Sequence, residues 1–226
     1  MNPYFIFNNI DSTGFLTIDK LPSIFKPAKD IQKIEIEGRD GFLTQDNGSY
    51  KSIVKPVECW IRNLSQIDYI CSWLTGGGDV TFSNEPDKIY KATIINQIEF
   101  SKIVQQFHSF IFQFDCQPHS YSTSNDIITL TTSGTITNPA TANAKPIIKV
   151  YGTGTINLTV NSTAITLTNV VDYVTIDSIL MDCYKGTILK NNDMSGDFPI
   201  LAIGTNTINW SGTVISVEIT PNFKNI

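Results

Sequence analysis

Residues 34–61, IEIEGRDGFLTQDNGSYKSIVKPVECWI, carry two alternating stretches separated by a glycine-punctuated connection. Ile34 and Ile36 alternate with Glu35 and Glu37, the period of a half-buried strand. Val57, Cys59 and Ile61 repeat the pattern, with Glu58, Trp60 and Arg62 on the other face. Between them, Gly38, Gly41 and Gly48 lie among Asp40, Asp46 and Asn47, residues that turns with positive φ select. A tight hairpin needs two loop residues, and this connection far exceeds the usual length. The stretch predicts a projecting arm or a working loop, because binding is commonly placed on loops carried by a rigid sheet.

With 226 residues, the chain has room for one large domain or two ordinary ones. Hydrophobic residues make up 41% and charged residues 16%, which places it among globular proteins with few charges. Abundant Ile, Thr, Val, Phe and Tyr favour strands. A net charge of −5 argues against a protein that holds nucleic acid through phosphates, which needs clustered Lys and Arg. Cys59, Cys71, Cys116 and Cys183 form no CxxC and no metal-ligand spacing, and each sits in an apolar run. Buried free thiols are therefore expected. The start of the chain has no basic region before its apolar residues and no cleavage-site pattern, so it does not read as a signal peptide, and no apolar run approaches a membrane span.

Residues 4–10 read as a strand covered on both faces, and Phe15 to Ile18 as a second short strand. Prolines at 22 and 27 forbid a central strand there. A helix is expected over 65–74: Ser65 and Asp68 have capping-box spacing, and Ile67, Ile70, Cys71 and Leu74 form one apolar stripe. Gly76, Gly77 and Gly78 stop it. Strands are predicted at 79–82, 90–95 and 107–114. From Tyr121 the aromatics thin out and Thr and Asn rise. Short strands follow at 147–151, 155–160, 164–167, 173–176, 179–184, 201–203, 208–210 and 214–219, the spacing of a β-sandwich. Asn161-Ser162 reads as a tight hairpin turn. The expected boundary gives domains 1–119 and 120–226, with 120–125 as linker.

Gly38-Arg39-Asp40-Gly41 with Leu43, Asp46, Gly48, Tyr50 and Val57-Glu58-Cys59 resembles the N-terminal domain of siphophage distal tail proteins, the Dit family. Phe5 to Ser12 is similar to that family's first strand. Phe82, Ser83, Pro86, Asp87, Tyr90 and Ala92 follow its helix, glycine turn and next strand. Pro146 to Gly152, Tyr173 to Asp177, Gly196-Asp197-Phe198-Pro199, Asn209-Trp210-Ser211-Gly212 and Ile219-Thr220-Pro221 resemble its C-terminal domain. The resemblance runs in order over nearly the whole chain. It implies a mainly β fold: an N-terminal β-barrel or sandwich-like domain with one short α-helix, then a galectin-like β-sandwich.

An enzyme would need an acid–base pair, a nucleophile with its base, or a metal cluster. His108 and His119 have no acidic residue at a useful spacing, and His108 reads as a structural histidine. Asp193 and Asp197 lie in a glycine turn without calcium-loop spacing. No catalytic residue, cofactor or metal is expected. Arg39-Asp40 reads either as a surface turn or as a subunit contact in which the guanidinium forks onto a neighbouring chain. Tyr50 suits the same interface.

The resemblance implies a structural role as a homo-hexameric ring in the virion, at the tail tip, assembled in the host cytoplasm. Such a ring joins the tail tube protein to the tail-associated baseplate hub protein and supports receptor-binding proteins. DNA passes through without specific binding, and no membrane is involved. Its implied subunit contacts are Gly38, Arg39, Asp40, Gly41, Asp46, Asn47, Gly48 and Tyr50. The alternative is a glycan-binding adhesion module. Such a module would present an exposed aromatic platform, whereas Trp210, which alternates with Ile208, is expected to point inward with it.

Overall fold

The computed structural model describes residues 2–61, 63–104 and 107–226; of residues 64, 101–104 and 107 only the backbone is described. Arg62 of the second alternating stretch lies outside them. About 61% of the chain is strand. It divides into Met1–Thr123 with Ile226, and Ser124–Asn225.

The first unit begins with β1 (Phe5–Phe7), β2 (Ile10–Asp11), β3 (Thr17–Lys20), β4 (Lys29–Glu35), β5 (Phe42–Tyr50) and β6 (Ile53–Ile61). Helix α1 (Ile67–Trp73) precedes β7 (Gly77–Phe82), β8 (Glu85–Ile94), β9 (Ser101–Val104) and β10 (Phe107–Ser122). An antiparallel sheet runs in the order β2-β1-β7-β8-β10-β6-β3, with β9 on β10, and β4 and β5 pair only with each other. One face of the sheet is apolar because alternation places Phe5, Phe7, Val57, Cys59, Phe82, Phe112 and Phe114 on it, all buried. Ile70, Trp73 and Leu74 close that face from α1. Trp73 stacks on Phe5 with centroids 5.4 Å apart, and its Nε1 donates to the Phe7 carbonyl at 3.1 Å. Burying each such ring contributes about 2–3 kcal/mol.

Several expectations change here. Tyr4 and Ile6 are only half-buried, so β1 is covered on one face. The helix begins at Ile67 behind a 3-10 turn over Leu64–Gln66. Ser65 does not cap it: its own N–H donates to Asn63 Oδ1 at 3.0 Å, and the N-cap is Gln66 without a side-chain bond. Cys71 is exposed, because Ile70, Trp73 and Leu74 define the buried stripe and rotate it outward. Residues 120–122, expected as linker, close β10, which continues past Pro118 through a bulge between Cys116 and Ser120.

The second unit comprises β11 (Ile128–Leu130), β12 (Gly134–Asn138), β13 (Ile147–Val160), β14 (Thr163–Val170), β15 (Tyr173–Asp177), β16 (Asp182–Lys185), β17 (Ile188–Leu189), β18 (Met194–Gly196) and β19 (Gly204–Thr220). Strands predicted in pairs at 147–151 and 155–160, and at 208–210 and 214–219, are continuous in β13 and β19. These two long strands pair along their length, with register breaks beside Gly152 and over 153–157. Their halves take different partners. Residues 147–151 pair with β15 and 156–160 with β14; on β19, 217–219 pair with β11 and 204–208 with β12. The side chains of both halves meet in one core around Ile148, Ile156, Leu158, Ile176 and Val217. This is how a strand turns a sandwich corner. Residues 214–219, within β19, thus belong to the second unit.

Asn161, at φ 55°, forms the two-residue turn between Val160 and Thr163. Residues 179–181 are a turn and not the start of a strand, and 201–203 contributes only a bridge from Leu201 to Ala144.

Candidate subunit interface

The connection over 38–56 is no irregular loop: β4 and β5 make a hairpin, and β6 begins at Ile53. Pairings of Gln32 with Gln45, Ile34 with Leu43 and Glu35 with Phe42 set its register. Residues opposite each other share a face, so Gln32, Ile34, Leu43 and Gln45 lie on one side. Ile31, Lys33, Glu35, Phe42, Thr44 and Asp46 lie on the other. The first side carries a single charge, Asp30 at its base, whereas the other carries Lys33, Glu35 and Asp46.

Gly38 and Gly41, at φ 80° and 84°, turn the tip, where the Arg39 amide donates to the Ile36 carbonyl at 3.1 Å. Arg39 and Asp40 are both exposed. Among the described residues no carboxylate lies within 4.0 Å of Arg39, so the two make no ion pair with each other.

Asp46, Asn47 and Gly48 stand at the other end. They form a bulge opposite Asp30, since the register slips between Lys29 and Ile31. Lys29 Nζ reaches Asp46 Oδ2 at 2.6 Å, and the Gly48 amide donates to Asp46 Oδ1 at 2.9 Å. The Lys29 hydrogen bond holds the Asp46 carboxyl below its ordinary range, and the same bond raises Lys29. Asn47 Nδ2 donates to Asp30 Oδ2 at 3.1 Å. Tyr50 sets its ring edge-on to His119 with centroids 6.0 Å apart. The structure therefore splits the predicted set in two. Gly38, Arg39, Asp40 and Gly41 form the tip, and Asp46, Asn47, Gly48 and Tyr50 fasten the base.

The exposure of the apolar side chains between them was not visible in the sequence. Ile31, Ile34, Ile36, Phe42 and Leu43 are 39–49% exposed, although Ile34 and Ile36 were expected to be half-buried on the core. Lys33 Nζ lies 4.5 Å from the Phe42 ring centroid, a partial cover. Alternation was visible in the sequence; which body covers the apolar side was not.

The other candidates resolve differently. His108 is buried. Asp193 accepts from Asn169 Nδ2 and from Lys190 Nζ, both at 3.0 Å, and these bonds hold its carboxyl low. Among the described residues no group of three His, Cys, Asp or Glu could hold a metal ion, and no helix is long and apolar enough to cross a membrane. Ile208 is buried and Trp210 packs half-buried against the same core. Tyr151 and Tyr173 pair on the outer face with centroids 5.9 Å apart, and Lys149 Nζ lies over both rings at 4.7 and 4.3 Å. A cation covers this aromatic pair, so it offers a sugar no bare platform.

Residues 9–116, which contain the hairpin, match the family described as the phage tail protein RIFT-related domain. Over its whole length the chain is similar in structure to SPP1 Dit (gp 19.1), described as a paradigm of the hub adsorption apparatus of phages infecting Gram-positive bacteria. The match covers 100% of this chain and 99% of that one, with a TM-score of 0.76 and 14% identity. No curated protein sequence matches this one. Its fold over the whole length is that of SPP1 Dit, and its residues 9–116 match the phage tail domain.

Proposed function

We propose that this chain is a structural subunit of a siphophage tail tip, six copies of which close into a ring. The ring joins the tail tube protein above to the tail-associated baseplate hub protein below. The second unit serves as the galectin-like sandwich that supports receptor-binding proteins, and the assembled protein resides in the virion.

The observation that carries this reading is the bare β4–β5 hairpin. A two-stranded hairpin is marginally stable alone in water, yet this one is long and exposes apolar side chains on both faces, Ile34 and Leu43 on one and Ile31 and Phe42 on the other. Such an element is stabilised by a neighbour. A contact between two different surfaces of identical subunits closes when the rotation per copy divides the circle. The net charge of −5 suits a channel through which DNA passes without being held.

Light scattering after size exclusion should give the mass of six chains, and negative-stain images should show six-fold annuli. A clean monomer at high concentration, with no annuli, would sink the reading. Retention of the ring on a DNA column at physiological salt would refute the passive channel.

A further inference from the structure

The second unit holds a cavity that the ring reading leaves unused. β14 ends at Val170 and β15 begins at Tyr173, and the turn between them is tight because Asp172, at φ 64°, takes the left-handed backbone that Asn and Asp tolerate best. Asn169, at φ 53°, does the same one residue before β14 ends. Between this turn, the start of β15 and the 3-10 turn over Asn191–Asp193 lies a cavity of about 170 Å³. Leu167, Val170 and Val174, all buried, give it an apolar wall. Lys185, Lys190, Asp193 and Asn169 give it a polar rim.

Charge around the rim is balanced. Lys190 Nζ lies 3.0 Å from Asp193 Oδ2, and Lys185 Nζ lies 3.0 Å from Asp172 Oδ2 and donates to the Val171 carbonyl at 2.7 Å. An anion entering here competes with two carboxylates, and a cation with two ammoniums. A hydroxyl does not, because it donates and accepts through one atom. Lys190 has three N–H donors and gives one to Asp193, whose carboxylate accepts from Lys190 and Asn169 and has lone pairs for more. Donors and acceptors set side by side in this way suit neighbouring hydroxyls on one ring. The volume is about half of the roughly 300 Å³ at which sites for drug-sized ligands begin, so it admits one small ring.

We propose that this cavity binds a single neutral sugar ring, with its C–H face on Val170 and Val174 and its hydroxyls bridging Lys190 and Asp193. A pyranose divides its surface as the cavity does, apolar across the ring and polar around the edge. The site is distinct from the Tyr151–Tyr173 pair that Lys149 covers, although Tyr173 borders it. Every group it uses comes from one chain, so binding does not depend on the ring.

Saturation-transfer NMR on the full chain tests this, with the methyl glycosides of glucose, galactose, mannose and N-acetylglucosamine as probes. At least one should receive transfer, with half-saturation on the order of millimolar, the scale open to one small ring. Lys190→Met combined with Asp193→Asn removes the bridge without leaving a buried charge unpaired, and should weaken binding on the order of tenfold or more. Val171 is 61% exposed at the mouth, so Val171→Trp should block entry in a protein whose amide spectrum stays that of the folded chain. Methyl phosphate and methylammonium should receive no transfer. Silence from all four glycosides at high millimolar concentration would overturn the site, as would transfer that survives both variants. Binding of methyl phosphate alone would overturn the neutral ligand. Each result is read whether or not the chain assembles, so failure here leaves the ring standing.

Discussion

Lys55 Nζ lies 2.9 Å from Glu85 Oε2, and both side chains are sealed from solvent. Lys55 occupies an inward position of β6, opposite Phe114, where alternation calls for an apolar residue. Its ammonium lies 4.2 Å from the Tyr90 ring centroid, and Glu85 Oε1 accepts from Lys88 Nζ at 2.8 Å and Tyr90 OH at 2.9 Å. Every charge in the cluster is answered.

Removing one partner leaves a buried charge short of its counterion. Lys55→Ala should cost about 3–5 kcal/mol, and Lys55→Met combined with Glu85→Gln should recover most of it. Urea unfolding of the three proteins measures both. Equal losses in the single and double variants would show that the pair is not coupled.

The same cluster sets an acid limit. Burial alone would raise the Glu85 carboxyl, but hydrogen bonds from Lys88 and Lys55 outweigh it and hold the group below its ordinary value of 4.5. A group depressed by folding contributes stability above its unfolded pKa and loses it as pH falls through the folded one. Stability should therefore decline from about pH 4.5 downward, and Glu85→Gln should flatten that slope. Denaturation midpoints measured from pH 7 to 3 decide the matter.

Thiol chemistry should separate the four cysteines. Cys59, Cys116 and Cys183 are buried, and burial pushes the Cys116 thiol to about 12 and Cys183 to about 11. Cys71 is exposed. A thiol reagent should label Cys71 alone in the native protein and all four after unfolding. Rapid native labelling of more than one would contradict the burial of the rest.

The corner of the second unit should be intolerant of side chains. Gly212, at φ 104°, would place a Cβ 2.5 Å from the Thr155 carbonyl oxygen, and Gly152 one 2.3 Å from that of Thr213. Both obstacles are backbone atoms that cannot swing aside. Gly212→Ala should destabilise the second unit by about 2–4 kcal/mol, strain and overpacking together. A thermal midpoint unchanged from wild type would refute this.

Assembly should be visible in the arm. Hydrogen exchange of β4 and β5 should be fast in a monomer and slow in the ring, while β6 and β10 stay protected in both. Arg39→Ala should leave the monomer folded and weaken the ring; unchanged assembly would exclude the tip as a contact.

How far the sequence could be read follows from which interactions are local. The β19 strand at 214–219 and the turn at Asn161 were visible because alternation and left-handed backbone preferences act within a few residues. Ile128 to Leu130 and Gly134 to Asn138 were missed, since their short polar-rich strands are held by pairing with β19, about 70–90 residues away. Lys55 hid the first half of β6: a lysine at an inward position breaks the pattern, and only its pairing with Glu85 thirty residues on makes it tolerable. Cys71 was misplaced because the stripe of a short helix shifts once Trp73 stacks on Phe5.

By itself, the sequence determined that this is a β-rich chain with one helix, and that a glycine-jointed excursion leaves it between residues 34 and 57. Periodicity and turn chemistry are properties of neighbouring residues. Only the tertiary structure decided that the excursion is a regular hairpin starting at Lys29, and that Ile34 and Leu43 face outward. It also decided that Asp46 to Gly48 tie the base while Arg39 stands alone at the tip. A strand's alternation shows that one side must be covered. What covers it depends on where distant strands, or another molecule, come to lie.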